Sequence, residues 1–221
     1  MLLAKDLIKD TIPSLKTSDT GQKALKWMDE FRVSHLPIVN NVELLGLVSE
    51  EDILNMNAPE TPLGDHKLFL QKVFVGQQQH VHDVIRQITK LNVSVLPVLS
   101  AEQEYVGIIT LPDIIKAIAS VASIQDPGSI VILELGAHSY SLSEIAHVVE
   151  SNDTQILSSY ITSLAGAEKI ELTLKLNRVD LSRVLAAFYR YNYNVLASFQ
   201  EHEILDDLKN RYDSLMNYLN I

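Results

Sequence analysis

Two short stretches of the chain combine residue types that suit ligand binding. Residues 46–52 and 107–113 both consist of a glycine, two apolar residues, a hydroxyl residue, two variable residues and an aspartate. The aspartate, Asp52 or Asp113, can accept hydrogen bonds from two sugar hydroxyls, while the hydroxyl residue and the free N–H groups of a helix start can face a phosphate. The pattern therefore predicts a strand-to-helix step that could hold a polyhydroxylated ligand.

The same residues also suit a purely structural role. A carboxylate at the position of Asp52 or Asp113 stabilises the first turn of a helix, and Ser49 and Thr110 are common N-cap residues. Because the whole pattern occurs twice, we expect at least one aspartate to bind a ligand. For the two hydroxyl residues, capping and ligand binding stay equally open.

Both stretches belong to a longer internal repeat of about 60 residues. The segment Leu-Pro-Ile-Val at 36–39 returns as Leu-Pro-Val-Leu at 96–99. Each copy is preceded by apolar residues at helical spacing, namely Ala24, Leu25, Met28 and Phe31 in the first and Val84, Ile85, Ile88 and Leu91 in the second. Each copy is predicted to form a strand, a helix, two strands and a helix. The two copies are expected to pack their sheets face to face about a pseudo-twofold axis.

A different pattern follows the Pro-Gly step at 127–128, which marks a boundary. The predicted elements are a strand at 130–135, a helix at 142–149, strands at 155–164 and 170–176, a helix at 181–191 and a strand at 195–199. This βαββαβ order indicates a ferredoxin-like sandwich, so the fold class is α+β. Residues 201–221 carry an apolar stripe at helical spacing, and we expect a C-terminal helix that docks on this sheet or on a second subunit.

The repeated part of the chain resembles a tandem pair of cystathionine beta-synthase (CBS) domains. The likeness rests on the extended leading segment, the helix, the Leu-Pro strand and the Gly-x-x-Ser/Thr-x-x-Asp step, each present twice. It divides the region into CBS repeat 1 at 1–62 and CBS repeat 2 at 63–126. The resemblance implies a regulatory module that binds an adenosine-containing ligand, such as AMP, ATP or S-adenosylmethionine, in clefts between the repeats.

The resemblance also implies which residues form those clefts. Asp52 and Asp113 would hold ribose hydroxyls, and Ser49 and Thr110 would lie beside the phosphate. The adenine would lie among residues of the predicted leading strands at 11–13 and 73–75 and of the approach to each Leu-Pro strand. These residues are Ile12, Pro13, Phe74, Ser34, His35, Ser94 and Val95.

Residues 127–200 resemble an ACT domain by topology and by position after a CBS pair. ACT domains pair side by side and often bind amino acids at a loop that carries a Pro-Gly step. The corresponding loop here, residues 136–141, lacks that step, so amino-acid binding stays open, while pairing does not need the loop. The combination of domains is similar to that of the acetoin-utilisation accessory proteins.

Composition excludes several classes of function. The 18 basic and 28 acidic residues give a net charge of −10, which disfavours binding to nucleic acid or to an anionic membrane surface. The chain has no cysteine and no long apolar segment, and we expect a cytoplasmic protein. Few basic residues lie near the two motifs in sequence, which favours a ligand with few phosphates.

No set of residues predicts catalysis or a metal site. His138 and Ser139 are adjacent without a nucleophile elbow, and the His80-x-His82 pair has no third ligand in sequence reach. We therefore expect a non-catalytic sensor that needs no cofactor, forms a homodimer and modulates either its own association or that with a client protein. The alternative is a ligand-free scaffold whose repeats serve only to dimerise.

Overall fold

The computed structural model describes residues 2–9, 11–68, 70–163, 168–200, 216 and 218 of the 221-residue chain. By its internal contacts the chain divides into two units, Met1–Ala117 and Ile118–Ile221. The predicted C-terminal helix at 201–221 lies outside the described residues, apart from positions 216 and 218. Within the described ranges, no helix is long and apolar enough to cross a membrane.

The first unit contains both copies of the repeat. After the short helix α1 (Ala4–Leu7), the first copy consists of α2 (Gly21–Phe31), β1 (His35–Asn40), β2 (Glu43–Ser49) and α3 (Glu50–Leu54). A 3₁₀ turn (Leu63–Asp65) leads to the second copy, which consists of β3 (Val75–Gly76), α4 (Val81–Leu91), β4 (Val95–Leu99), β5 (Tyr105–Thr110) and α5 (Leu111–Val121). The predicted order of helix, two strands and helix is confirmed in each copy.

The two long helices of the repeat begin and end in the same way. The Thr20 side chain accepts a hydrogen bond from the backbone of Lys23 at the start of α2, and His80 caps α4 in the same position. Both helices end on a residue in the left-handed conformation, Arg32 with φ 56° and Asn92 with φ 52°. The two helices therefore begin and end at equivalent positions of the repeat.

The predicted leading strand at 11–13 is wrong. In the first copy, backbone pairing begins later, where Leu15 forms a single parallel bridge with Ile38 and its N–H donates to the carbonyl of Pro37 at 2.8 Å. Pro13 has no N–H group with which to extend a strand ladder. In the second copy, β3 pairs with β4 in parallel and overlaps the predicted segment at 73–75 only at Val75.

Each leading segment contacts the opposite copy of the repeat. Gln71 exchanges two backbone hydrogen bonds with Leu47 of β2, at 2.9 and 3.1 Å, and the N–H of Ala4 donates to the carbonyl of Gln79 at 2.8 Å. A single apolar core consequently contains residues of both copies, including the fully buried Leu36 and Leu96. The expectation that the copies bury one another's apolar faces is confirmed.

The second unit has the predicted βαββαβ order. Its elements are β6 (Ser129–Gly136), α6 (Leu142–Glu150), β7 (Ile156–Thr162), β8 (Lys169–Leu176), α7 (Ser182–Arg190) and β9 (Asn194–Gln200). The strands form one antiparallel sheet in the order β7-β8-β6-β9, so each helix connects two strands that are separated by a third. Alternate residues of β6 and β8 form a core with α6 and α7 around Phe188. This is the ferredoxin-like arrangement that the sequence predicts.

Candidate ligand-binding site

The two repeated motifs form closed hydrogen-bonded loops at helix starts. The Ser49 hydroxyl donates to Asp52 Oδ2 at 2.5 Å, and the Asp52 N–H donates back to Ser49 Oγ at 3.1 Å. Thr110 and Asp113 make the same pair of contacts, at 2.5 and 3.4 Å. The capping role of all four residues is confirmed, and it begins α3 and α5 at the step where strand becomes helix.

Capping limits what the hydroxyl groups can offer a ligand. A hydroxyl has one proton, and in this arrangement Thr110 gives it to Asp113 Oδ2. Thr110 can still accept a hydrogen bond, but it has no donor left for a phosphate oxygen. Ser49 likewise donates its hydroxyl proton to Asp52 Oδ2 and has no donor left for a phosphate.

The second oxygen of Asp113 has a different partner. Asp113 Oδ1 lies 3.4 Å from the ammonium group of Lys9, which belongs to the leading segment of the first repeat. The Asp113 side chain is 9% exposed, while that of Lys9 is 52% exposed. The Asp113 carboxylate therefore caps α5 with one oxygen and pairs with the ammonium group of Lys9 through the other.

A cleft of about 570 Å³ opens beside Asp113, within the first unit. Of the predicted binding residues it brings together Ile12 from the first copy with Ser94, Thr110 and Asp113 from the second. Its volume is in the range of known small-molecule sites, which runs from about 300 to 1,000 Å³. Among the described residues, the remaining predicted residues Ser49, Asp52, Pro13, Ser34, His35, Phe74 and Val95 do not line this cleft.

Three basic residues line the same cleft and were not predicted: Lys9, Arg32 and Lys116. The expectation of a site poor in cations is therefore wrong at Asp113. Lys116 follows Asp113 by three positions, so helical spacing alone could have indicated it. Lys9 and Arg32 come from distant parts of the chain, and only the fold brings them to the motif.

Ser34, His35 and Ser94 meet where β1 and β4 begin. The N–H of Ser34 donates to Ser94 Oγ at 3.0 Å, and the N–H of Ser94 donates to His35 Nδ1 at 3.3 Å. Burial lowers the pKa of His35 below its ordinary value of 6.5, and the negative charge of Asp52 partly opposes this. The three residues thus join the two copies at the seam of the pair.

The remaining predicted residues differ in exposure. Val95 is fully buried in β4, whereas Phe74 and Pro13 are exposed. Within the described part of the chain, no cluster of three or more histidine or acidic side chains could hold a metal ion.

Comparison with known proteins identifies the repeated region. Residues 4–58 and 70–120 match the family model of the CBS domain. The homoserine O-acetyltransferase of Methanobrevibacter ruminantium is 29% identical over 116 residues, which make up 52% of this chain and 24% of that enzyme. The chain spans about a quarter of the length of the first three curated relatives that it matches, so most of each relative has no counterpart here.

Two solved structures are similar to about half of the chain. A Vibrio cholerae protein named for acetoin utilization is 28% identical with a TM-score of 0.48, and the match covers 57% of this chain and 96% of that one. A CBS domain pair/ACT domain protein from Thermotoga maritima is 19% identical with a TM-score of 0.48, and the match covers 54% and 98%. Both TM-scores are too low to support a functional conclusion.

Proposed function

Because residues 4–58 and 70–120 form a tandem pair of CBS domains, we propose that this protein is a non-catalytic regulatory sensor. It binds an adenosine-containing ligand, namely AMP, ATP or S-adenosylmethionine, between the repeats. Binding then alters how the protein associates with itself or with a client protein. No other cofactor takes part.

The cleft beside Asp113 is the observation that carries this proposal. Its lining includes Ile12 from the first copy and Ser94, Thr110 and Asp113 from the second. A ligand that contacts both copies binds best to one arrangement of the pair, and it shifts the population toward that arrangement. Binding at such a position is therefore suited to regulation.

The roles of the residues follow from their chemistry. Asp113 Oδ1 is the oxygen not used in capping, and it would accept the ribose hydroxyls once Lys9 moves away. Ile12 offers an apolar surface to the adenine, and Ser94 can accept or donate a hydrogen bond at its edge. Ser49, Asp52, Pro13, Ser34, His35, Phe74 and Val95 would belong to the repeat-related site around Asp52.

Calorimetric titration of the full-length protein with AMP, ATP and S-adenosylmethionine tests the proposal. Asp113→Asn keeps the shape of the side chain and removes its charge. We expect it to lower the affinity for the ligand about tenfold or more. Asp52→Asn is the matched variant at the other motif and reports on the second site. Absence of heat with all three ligands would disprove the sensor function.

A ligand-free scaffold is the second candidate, and one observation favours it. Leu54 and Ile115 occupy equivalent positions in the two copies, and they are 65% and 66% exposed. Matched exposed apolar residues suit association with a second copy or a client. Mass spectrometry of small molecules retained by the purified protein separates the candidates, because only a sensor would retain a nucleotide.

Self-association through the second unit forms part of both candidates. Its sheet ends in two edge strands, β7 and β9, and β9 exposes Leu196 and Phe199. An edge strand with exposed apolar residues is suited to pairing with another chain. This agrees with the proposed ACT-like role of residues 127–200 in dimer formation.

A further inference from the structure

The two motifs are related by the repeat, but their charged neighbours are not. Residues at equivalent positions are 60 or 61 apart, as with Ser34 and Ser94 or Asp52 and Asp113. If the two sites were functionally equal, equivalent positions would carry similar charges. They do not: the equivalents of Arg32 and Lys116 are uncharged and those of Leu111 and Pro112 are acidic, with Lys72 at the position of Ile12 as the one difference of opposite sign.

The cleft at Asp113 carries an excess of positive charge. Its lining contains three cations, Lys9, Arg32 and Lys116, of which Arg32 also lies 3.9 Å from the exposed Asp29, and Asp113 is the one acidic residue among the described residues that line it. The two positions between Thr110 and Asp113 are uncharged, Leu111 and Pro112. Cations that converge on a cleft are the usual recognition chemistry for phosphate groups.

The equivalent positions around Asp52 carry negative charge instead. Glu50 and Glu51 replace the two uncharged residues, and both are exposed. Asn92 stands where the first copy has Arg32, and Asn55 stands where the second has Lys116. Three consecutive carboxylates, without the equivalents of Arg32 and Lys116, would repel a phosphate.

We propose that, of the two repeat-related sites, only the one at Asp113 takes a phosphate-bearing ligand. This inference rests on the proposed function and specifies its ligand. Each chain then binds one nucleotide, and the site prefers AMP or ATP to S-adenosylmethionine. The latter carries a sulfonium and an ammonium group against one carboxylate, so the three cations of the cleft disfavour it.

Lys9 changes partner in this scheme. Its ammonium group lies 3.4 Å from Asp113 Oδ1, the oxygen that the ribose needs. The side chain is half exposed and is free to turn away when a ribose hydroxyl takes its place. When a nucleotide binds, Lys9 loses its ion pair with Asp113 but can pair with the phosphate. When adenosine binds, Lys9 loses the same ion pair and gains no anionic partner. The phosphate therefore adds affinity through Lys9, Arg32 and Lys116, since the hydroxyl proton of Thr110 is already donated to Asp113.

Calorimetry with adenosine, AMP and S-adenosylmethionine tests the inference on the full-length protein. We expect one AMP per chain, with AMP binding about tenfold more tightly than adenosine or S-adenosylmethionine. The advantage of AMP over adenosine should shrink as salt concentration rises. Binding of AMP at two sites per chain, or equal affinity for all three ligands, would overturn the inference while the sensor function stands.

Variants locate the effect within the cleft. Arg32→Asn introduces the residue that the other copy uses at the same left-handed cap, so it removes charge without backbone strain. Combined with Lys116→Gln, it should lower the affinity for AMP roughly tenfold and leave the affinity for adenosine unchanged. Lys26→Gln with Lys90→Gln removes the same charge at two exposed positions that do not line the cleft, and it should change neither affinity.

Lys9→Gln gives a separate signature. It removes the competitor for Asp113, so adenosine should bind at least as tightly as before while the ratio of AMP to adenosine affinity falls. Thermal unfolding checks that each variant is folded. Unchanged AMP affinity in folded Arg32→Asn/Lys116→Gln would overturn the inference, and failure of the wild-type protein to bind AMP, ATP or S-adenosylmethionine would disprove the proposed function with it.

Discussion

At the residue level, Asp113 uses its two oxygens for two purposes. Oδ2 accepts from Thr110 and closes the start of α5, while Oδ1 faces Lys9 and the cleft. Capping and ligand binding are therefore compatible at one carboxylate. The sequence leaves these two interpretations open because a Thr-x-x-Asp pattern is the signature of both.

His35 makes the stability of the first unit depend on pH. Its Nδ1 accepts the N–H of Ser94, and burial lowers its pKa below 6.5, so the folded protein takes up its proton less readily than the unfolded chain. Stability from neutral His35 is full above about pH 6.5 and falls as the pH drops below that value. We expect the free energy of unfolding to decrease on acidification from pH 7.5 toward pH 5.

His35→Asn isolates this contribution. The amide oxygen of asparagine can accept the same N–H from Ser94 but does not titrate. The variant should lose less stability than the wild type over the same pH range, measured by denaturant unfolding at each pH. Parallel pH dependence in the two proteins would show that His35 is not the group responsible.

Residue types near the motif did not reveal all of the site. Asp113 and Thr110 are recognisable because they repeat, and Lys116 lies one helical turn from Asp113. Lys9 reaches the cleft because the leading segment of the first copy contacts the second, and Arg32 because α2 of the first copy ends beside the motif of the second. The sequence around the motif does not show which residues of the other copy contact it. The prediction of a site poor in basic residues is wrong for this reason.

At the level of elements, both motif glycines accompany a β-bulge. Gly46 pairs with Ile38 and the next pair joins Leu44 to Val39, so Leu45 is the extra residue, and Gly107 lies beside the same irregularity in β5. Both glycines have φ 151°, a conformation that side chains strongly disfavour. The bulge thus explains why a glycine begins each motif.

Gly46→Ala should destabilise the first unit. A Cβ atom at this position would lie 2.8 Å from Leu70 Cβ and 3.0 Å from the carbonyl of Gln71, in addition to the backbone strain. We expect a loss of about 1–3 kcal/mol in the free energy of unfolding, measured by urea denaturation. Gly76→Ala is the control, because its Cβ would meet atoms no closer than 3.9 Å. Equal losses in the two variants would contradict this account of the bulge.

The elements were easier to predict than the site. The amphipathic helices α2, α4, α6 and α7 follow from apolar spacing, and β8 follows from its alternating pattern. The predicted strand at 11–13 is wrong because β-forming residue types do not by themselves show that a segment pairs. Pro13 lacks the N–H group that pairing requires. Its consequence is that Ile12 lies in the cleft rather than in a strand.

At the level of the whole molecule, two separate cores underlie the two units. The first is built by both repeats, and the second by one face of the β7-β8-β6-β9 sheet with its two helices. The division by contacts falls after Ala117, earlier than the proposed domain boundary at 126. The residues after Ala117 belong to the second unit, within which the Ser158 hydroxyl donates to the carbonyl of Ala122 at 2.8 Å. The Pro-Gly step at 127–128 marks a turn in the chain and does not show which residues before it pack with the second unit.

Regulation of association by AMP requires a thermodynamic coupling that can be measured from both sides. If AMP changes the self-association constant by some factor, association must change the affinity for AMP by the same factor. We expect sedimentation velocity to show a shift of the monomer–dimer equilibrium with AMP. Calorimetry below and above the dimer dissociation constant should show the reciprocal change in AMP affinity, and couplings of this kind amount to about 5- to 150-fold.

The variant Asp113→Asn provides the control, since it should lose the effect of AMP on association while its association without AMP stays the same. Two results have opposite meanings. An AMP affinity that is independent of protein concentration, together with an unchanged dimer, would mean that the nucleotide does not regulate self-association and that a client protein receives the signal. A stable dimer that binds no nucleotide would favour the scaffold, because its association would then need only the exposed apolar residues such as Leu54 and Ile115.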